Sequence, residues 1–153
     1  MTRSRRWVSW CLVVGAYAGF VVSLYLTFAH FRGYVSPCYV VKGCEEVQTS
    51  EYSVILGVPV ALAGTLFFGL MFYLGVGLLT GARLWVVRAY KVLAFLGALA
   101  IIPLFLLQAI VLDAFCSYCV ATEAIMLFLW VLSFLLRAPE HVGEPLEAGA
   151  GAE

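Results

Sequence analysis

Long apolar stretches separated by short polar segments run through the whole chain. Lys, Arg, Asp and Glu are absent from 7–31, 52–82 and 92–112, and Glu123 is the single exception within 114–136. Each stretch exceeds the roughly 20 residues that a helix needs to cross about 30 Å of hydrocarbon. The pattern predicts four transmembrane helices, with a polar loop at 32–56. The predicted helices cover about 7–31, 57–79, 86–112 and 116–136.

The composition agrees with a membrane protein and not with a soluble globule. Of the 153 residues, 64% are hydrophobic and only 12% are charged. We therefore predict an all-α membrane protein with one transmembrane domain at 1–137. The Ala, Gly, Pro and Glu residues of 138–153 predict a disordered cytoplasmic tail. The cations lie at helix ends and form no continuous face, so nucleic acid is not an expected partner.

The distribution of Lys and Arg predicts the orientation in the membrane. Seven cations fall on one side of the predicted bundle, against Arg32 and Lys42 on the other. The seven are Arg3, Arg5, Arg6, Arg83, Arg88, Lys91 and Arg137. The positive-inside rule places them, and with them both termini, in the cytoplasm. The loop at 32–56 and the turn at 113–119 then face the exterior of the cell membrane, where disulfides persist.

A Cys-x-x-Cys pair, Cys116 and Cys119, stands where the fourth apolar stretch begins. Cysteines three apart at the start of a helix share one face, with the first thiol near the positive end of the helix dipole. That environment lowers the pKa of a thiol and makes it reactive. The competing interpretation is that both are small buried hydrophobic residues. Cys11, in the cytoplasmic half of the first helix, is expected only to pack.

Cys38 and Cys44 form a second pair in the exterior loop, with the spacing C-x5-C. A disulfide across a single helical turn restrains the unfolded chain very little, so the Cys116 and Cys119 pair favours redox exchange over a structural role. Four thiolates could also bind zinc, but zinc ligands normally come from paired short knuckles in a water-exposed module. We therefore expect no metal.

Disulfide exchange needs an acceptor for two electrons. The chain has no nucleotide-binding fingerprint and no soluble flavin domain. In a membrane the available two-electron carrier is a quinone, which also drives periplasmic disulfide formation. A quinone such as menaquinone or ubiquinone is therefore the expected cofactor, bound inside the helical bundle.

Several motifs occur in a fixed order along the chain. They are Cys38-x5-Cys44, Ser50, Gly57-Val58-Pro59, Gly64 and Phe115-Cys116-Ser117-Tyr118-Cys119. In this order and spacing the chain resembles the vitamin K epoxide reductase family, specifically its bacterial disulfide-generating members without a fused thioredoxin-like domain. The resemblance covers all of the chain except its tail. It implies a four-helix bundle around a quinone.

The same resemblance implies the route of the electrons. A thioredoxin-like exported protein, acting in trans, attacks at Cys38, and Cys44 exchanges with Cys116. Cys119 faces the quinone. The implied activity is that of a membrane thiol:quinone oxidoreductase, which forms disulfides in its partner and passes the electrons to the quinone.

Four further residues are candidates for contact with the quinone: Ser50, Ser53, Gln108 and Glu123. Glu123 lies four residues after Cys119 and shares its helical face. An intramembrane carboxyl normally faces the interior of a bundle and marks a functional site, here as a hydrogen-bond or proton donor. Two of these positions differ from the vertebrate enzymes, which have Tyr where this chain has Glu123 and Asn where it has Ser53.

Three alternatives remain open on the sequence. One is reduction of vitamin K quinone or epoxide. Another is the unrelated bacterial membrane oxidase with four helices and two cysteine pairs, although that family carries its pairs in the opposite order. The third is a scaffold protein with two structural disulfides, which would be inert to thiol trapping.

Overall fold

A computed structural model of the chain describes residues 3–37, 43–81 and 83–136. The structure has four long helices and one short helix. A small β-hairpin lies between the short helix and the second long helix. The elements are α1 (Arg3–Phe31), α2 (Cys44–Thr49), β1 (Val54–Ile55), β2 (Val58–Pro59), α3 (Val60–Gly81), α4 (Leu84–Leu106) and α5 (Ser117–Ser133). The all-α fold class predicted from the apolar stretches is confirmed.

Among the described residues, three helical stretches are long and apolar enough to cross a membrane: Arg6–Phe31, Val60–Gly81 and Leu84–Val111. The fourth, α5, is apolar but has only 17 residues. At 1.5 Å per residue it spans about 25 Å, somewhat less than the hydrocarbon core. The protein is a helical membrane protein with several membrane-spanning segments. The cytoplasmic location of the termini stays a prediction.

The predicted exterior loop contains more structure than its sequence suggested. It includes α2, a 3-10 turn at Glu51–Ser53 and the antiparallel pair of β1 and β2. Leu56 and Gly57 both have positive φ, 53° and 81°, as the two central residues of a tight hairpin require. This turn delays the second long helix, which begins at Val60 and not at residue 57 as predicted.

The first long helix ends at Phe31, as predicted, whereas the last two end earlier than predicted. The third helix, predicted at 86–112, ends its α-helical part at Leu106 and continues as a π-helical turn, Leu107–Val111. The fourth, predicted at 116–136, is Ser117–Ser133. The predicted tail at 138–153 lies outside the described residues.

The packed core lies at the end of the bundle that holds the connection between α3 and α4. Helix α1 packs mainly on α3, and α5 packs on both α1 and α4. Side chains of all four long helices meet there with almost no exposure. They include Leu12, Met71, Leu78, Tyr90 and Leu129. The opposite end of the bundle is more open and carries the residues predicted to be functional.

Candidate functional site

The two cysteines of the Cys-x-x-Cys pair are held at the start of α5. Cys116 immediately precedes the helix and is completely buried, whereas Cys119 lies one turn further along and is partly exposed. Both are free thiols. A tight turn at Asp113, with φ of 47°, reverses the chain just before them. The predicted position of the pair at a helix start is therefore what the structure has.

The environment of Cys116 favours its thiolate. A hydrogen bond from the Cys119 thiol is the largest influence, and it helps to lower the pKa of Cys116 to about 6. Burial acts in the opposite direction, while the backbone N–H groups of Cys119 and Tyr118 lower the pKa further. Donors that converge on a sulfur stabilise its charged form. Cys116 is therefore the thiol that is primed for exchange.

Gln108 connects the cysteine pair to the intramembrane carboxyl. Its Oε1 accepts a hydrogen bond from the backbone N–H of Cys116 at 3.1 Å, and its Nε2 donates to Glu123 Oε1 at 2.8 Å. The side chain is buried and projects from the π-helical turn, a distortion that occurs frequently at functional sites. A single amide thus fixes the backbone at Cys116 and the side chain of Glu123 together.

A cavity of about 700 Å³ opens beside these groups, between the long helices and the loop that joins α1 to α3. Its lining is mostly apolar, with side chains such as Leu26, Phe67 and Ile101. All five residues predicted to contact a quinone line it. They are Ser50, Ser53, Gln108, Cys119 and Glu123. In the structure Ser50 Oγ donates to the carbonyl oxygen of Val47, 2.9 Å away.

The exterior loop is fastened to the start of α5 on both sides of the segment 38–42. Before that segment, the hydroxyl of Tyr118 donates to the carbonyl oxygen of Pro37 at 3.2 Å. After it, Gly43 packs so closely on Phe115 that a Cβ there would lie 3.0 Å from its backbone N and O. A side chain would be strained at Gly43 in any case, because its φ is 148°.

Of the predicted loop pair, Cys44 is buried at the start of α2 and is disulfide-bonded. Cys38 lies outside the described residues. Gly43 contacts Phe115, and the residues that follow these two in the sequence, Cys44 and Cys116, therefore lie in the same part of the molecule.

Cys11 is exposed in the first third of α1, remote from the site in sequence and on the half that carries the packed core.

Gln48 is a site residue that the sequence did not single out. It lines the cavity, and its Oε1 accepts a hydrogen bond from the backbone N–H of Ser36 at 3.1 Å. Its Nε2 is buried and makes no hydrogen bond within the described part of the chain, yet the side chain contributes to the lowered pKa of Cys116. The available signal was its position four residues after Cys44, which places both on one face of α2.

The arrangement of a Cys-x-x-Cys pair beside a bundle cavity, with Cys119 in its lining, can be compared with known families. Residues 10–134 match the model of the Vitamin K epoxide reductase family. The chain belongs to this family. The match includes Cys38, Cys44, Cys116 and Cys119, and it confirms the resemblance inferred from the motifs. No curated protein matches the chain. Family membership makes the protein a membrane oxidoreductase of a family that uses quinone-type substrates.

Proposed function

We propose that this protein is a thiol:quinone oxidoreductase that forms disulfides in a thioredoxin-like exported protein. Electrons enter at the loop pair, Cys38 and Cys44, and pass to Cys116 and Cys119. They leave to a quinone in the cavity. The excess of cations at the opposite end of the bundle supports an extracytoplasmic position for all four cysteines.

One observation carries this proposal: a free, partly exposed Cys119 lines an apolar cavity, while its fully buried neighbour Cys116 lies against the loop. One thiol thus faces a small-molecule site and the other faces the protein. A scaffold protein with structural disulfides would not require one thiol at a small-molecule cavity and the other against the protein. The disulfide at Cys44 beside two free thiols further supports two pairs that differ in redox state.

The cavity has the chemistry that a quinone requires. Its apolar walls suit a hydrophobic ring and tail, and polar side chains that include Gln108 and Glu123 line it together with Cys119. Glu123 and Gln108 could hydrogen-bond a ring oxygen, and Ser50 and Ser53 lie across the loop side of the same cavity. A quinone held there would supply an acceptor for two electrons and two protons.

Within the chain, transfer proceeds by thiol–disulfide exchange. The partner's dithiol reduces the disulfide of the loop pair, and the partner becomes oxidised. The Cys44 thiolate attacks Cys116 in a Cys116–Cys119 disulfide, so that a Cys44–Cys116 bond forms and the electron pair leaves on Cys119. Cys38 then attacks Cys44, which restores the loop disulfide and releases Cys116 as a thiolate. The pair at α5 now holds the two electrons.

The transfer of electrons from the loop pair to the pair at α5 is tested by measuring quinone reduction by the purified protein with two different reductants. Cys38→Ala and Cys44→Ala should lose transfer from a thioredoxin-like dithiol protein but should keep some quinone reduction driven by a small dithiol. A small dithiol can reach the pair at α5 directly, whereas a protein cannot. Cys119→Ala should lose quinone reduction with either reductant. Equal loss of both activities in the loop variants would contradict the relay. Inert disulfides in the parent protein would favour the scaffold alternative.

A further inference from the structure

Between α2 and the start of α5 lies a buried amide that the proposed electron route does not use. Gln48 Nε2 is buried and has no conventional hydrogen-bond partner among the described residues. Leaving an amide N–H group unpaired in a buried site is energetically unfavourable. Such a group calls for an explanation, and its surroundings supply one.

The other end of the same side chain is firmly held. Gln48 Oε1 accepts the backbone N–H of Ser36 at 3.1 Å, which fixes the orientation of the amide group. This contact ties α2 to the segment that leads into the loop pair. One helical turn before Gln48 is Cys44, and the amide also acts on the Cys116 sulfur. Gln48 therefore stands where the two cysteine pairs meet.

We propose that Gln48 is a positioning residue for exchange between Cys44 and Cys116: its anchored amide turns an N–H group toward the Cys116 sulfur. The inference rests on the proposed function. It concerns the step in which Cys38 attacks Cys44 and the electron pair leaves on Cys116. A donor that faces the departing sulfur stabilises its thiolate, and a better thiolate leaves faster.

The other groups that act on Cys116 are few. On α5, Cys119 donates to it and Glu123 lies close enough for a charge interaction. On α2, Cys44 is disulfide-bonded and does not titrate, and the carboxyls of Glu45 and Glu46 are exposed. Among the described residues Gln48 is thus the side-chain donor that the loop contributes to this sulfur.

The test measures the Cys116 thiolate directly, without quinone or protein partner. The ultraviolet absorbance of the thiolate is titrated in the full-length protein with Cys116 and Cys119 as free thiols and the disulfide at Cys44 intact. The same titration of a matched Cys116→Ala version is subtracted. Gln48→Met removes the donor without adding charge. It should raise the pH midpoint of Cys116 by about one unit, the effect of losing one hydrogen bond to a charged group.

Gln48→Glu separates the donor from the anchor, because its carboxylate can still accept from Ser36 but cannot donate. It should raise the midpoint at least as far as Gln48→Met. Glu46→Gln, on the exposed side of α2, is the control and should leave the midpoint unchanged at about 0.15 M salt. An unchanged midpoint in Gln48→Met overturns the proposal.

If Gln48→Met fails to fold, the comparison of Gln48→Glu with the control decides. A shift no larger than that of Glu46→Gln then overturns the inference, because the side chain would have no special access to Cys116. The reduction potential of the Cys116 and Cys119 pair gives a second measurement. A tenfold loss of thiolate stability should lower it by about 30 mV. Absence of thiol:quinone activity would contradict the proposed function without touching either measurement.

Discussion

The two ends of this helical bundle use the same four helices in different ways. At one end α1, α3, α4 and α5 fill the space between them with large side chains, and Leu12, Met71 and Leu129 have no exposed surface. At the other end they separate around a cavity of about 700 Å³. In lipid, helices associate through close packing, since the lipid tails are as apolar as the side chains. The packed end can therefore stabilise the bundle while the open end keeps room for a ligand.

Polar groups follow the same division. The cavity end carries the Gln108 to Glu123 hydrogen bond, two free thiols and the loop, all of which need fixed geometry. The packed end contains mostly apolar contacts. The buried Tyr90 hydroxyl is an exception, and it has no hydrogen-bond partner among the residues that the structure describes. The comparison predicts that substitutions at the two ends fail in different ways: activity is lost at one end and stability at the other.

The largest effect on activity is expected at Cys119. Cys119→Ala removes the thiol that faces the cavity and should lower thiol:quinone turnover roughly 1000-fold or more. Cys11→Ala, at the packed end of α1, should retain full turnover because Cys11 is exposed and far from the cavity. Steady-state kinetics of the two variants in one membrane preparation make the comparison. Full activity in Cys119→Ala would contradict the proposed mechanism.

The largest effect on stability is expected at the packed end. Leu129 is completely buried, and its side chain packs so tightly on α1 that a Cβ at Gly15 would lie 2.8 Å from it. Leu129→Ala should lower the free energy of unfolding by about 2–5 kcal/mol, because the cavity it leaves loses packing contacts. Turnover per folded molecule should stay close to that of the parent.

Leu127→Ala is the matched control for that experiment, since Leu127 is on the same helix and about half exposed. Denaturant titration in detergent micelles should show little change for it. Equal destabilisation by the two substitutions would mean that the burial of Leu129 does not stabilise the protein. It would contradict the inference that the packed end of the bundle provides the stability.

The sequence predicted those parts of the molecule that depend on local pattern. Long apolar runs and charged boundaries define four helices, and fixed cysteine spacing points to the family. Residues such as Ser50 and Gln108, which lie far apart in the chain, both line the cavity, as expected for quinone contacts. Their roles in binding are still untested.

What the sequence could not predict depends on contacts between elements. The π-helical turn that presents Gln108, and the hydrogen bond from its amide to Glu123, involve residues 15 positions apart. The hairpin before α3 needs a Leu with positive φ, a conformation that propensity disfavours. Gln48 has the pattern of an ordinary polar loop residue, and only the structure shows that its amide accepts from Ser36 and contributes to the lowered pKa of Cys116.

The dependence of turnover on pH gives a smaller, graded test of the cavity end. With a Cys116 pKa of about 6, the thiolate is the main form above that pH and the neutral thiol below it. In a single turnover that starts from reduced protein, the Cys116 thiolate must close the disulfide with Cys119. Where this step limits the rate, the rate should be constant above about pH 7. It should fall about tenfold per unit well below pH 6. A rate that keeps rising through about pH 8.5 would indicate an ordinary thiol.

The smallest expected effect concerns Glu123, whose carboxyl accepts a hydrogen bond from Gln108 and lines the cavity. Glu123→Gln keeps a polar group of the same size that can still accept from Gln108, but it cannot supply a proton. Quinone affinity should therefore be retained, while the part of the pH dependence that comes from this carboxyl disappears. Glu123→Ala leaves Gln108 Nε2 without its partner and should raise the KM for quinone about tenfold, the cost of one unpaired buried donor. Kinetics with a soluble quinone across pH distinguish the two variants. If both match the parent at every pH, Glu123 takes no part in the quinone step, and the hydrogen bond to Gln108 serves only to position Cys116.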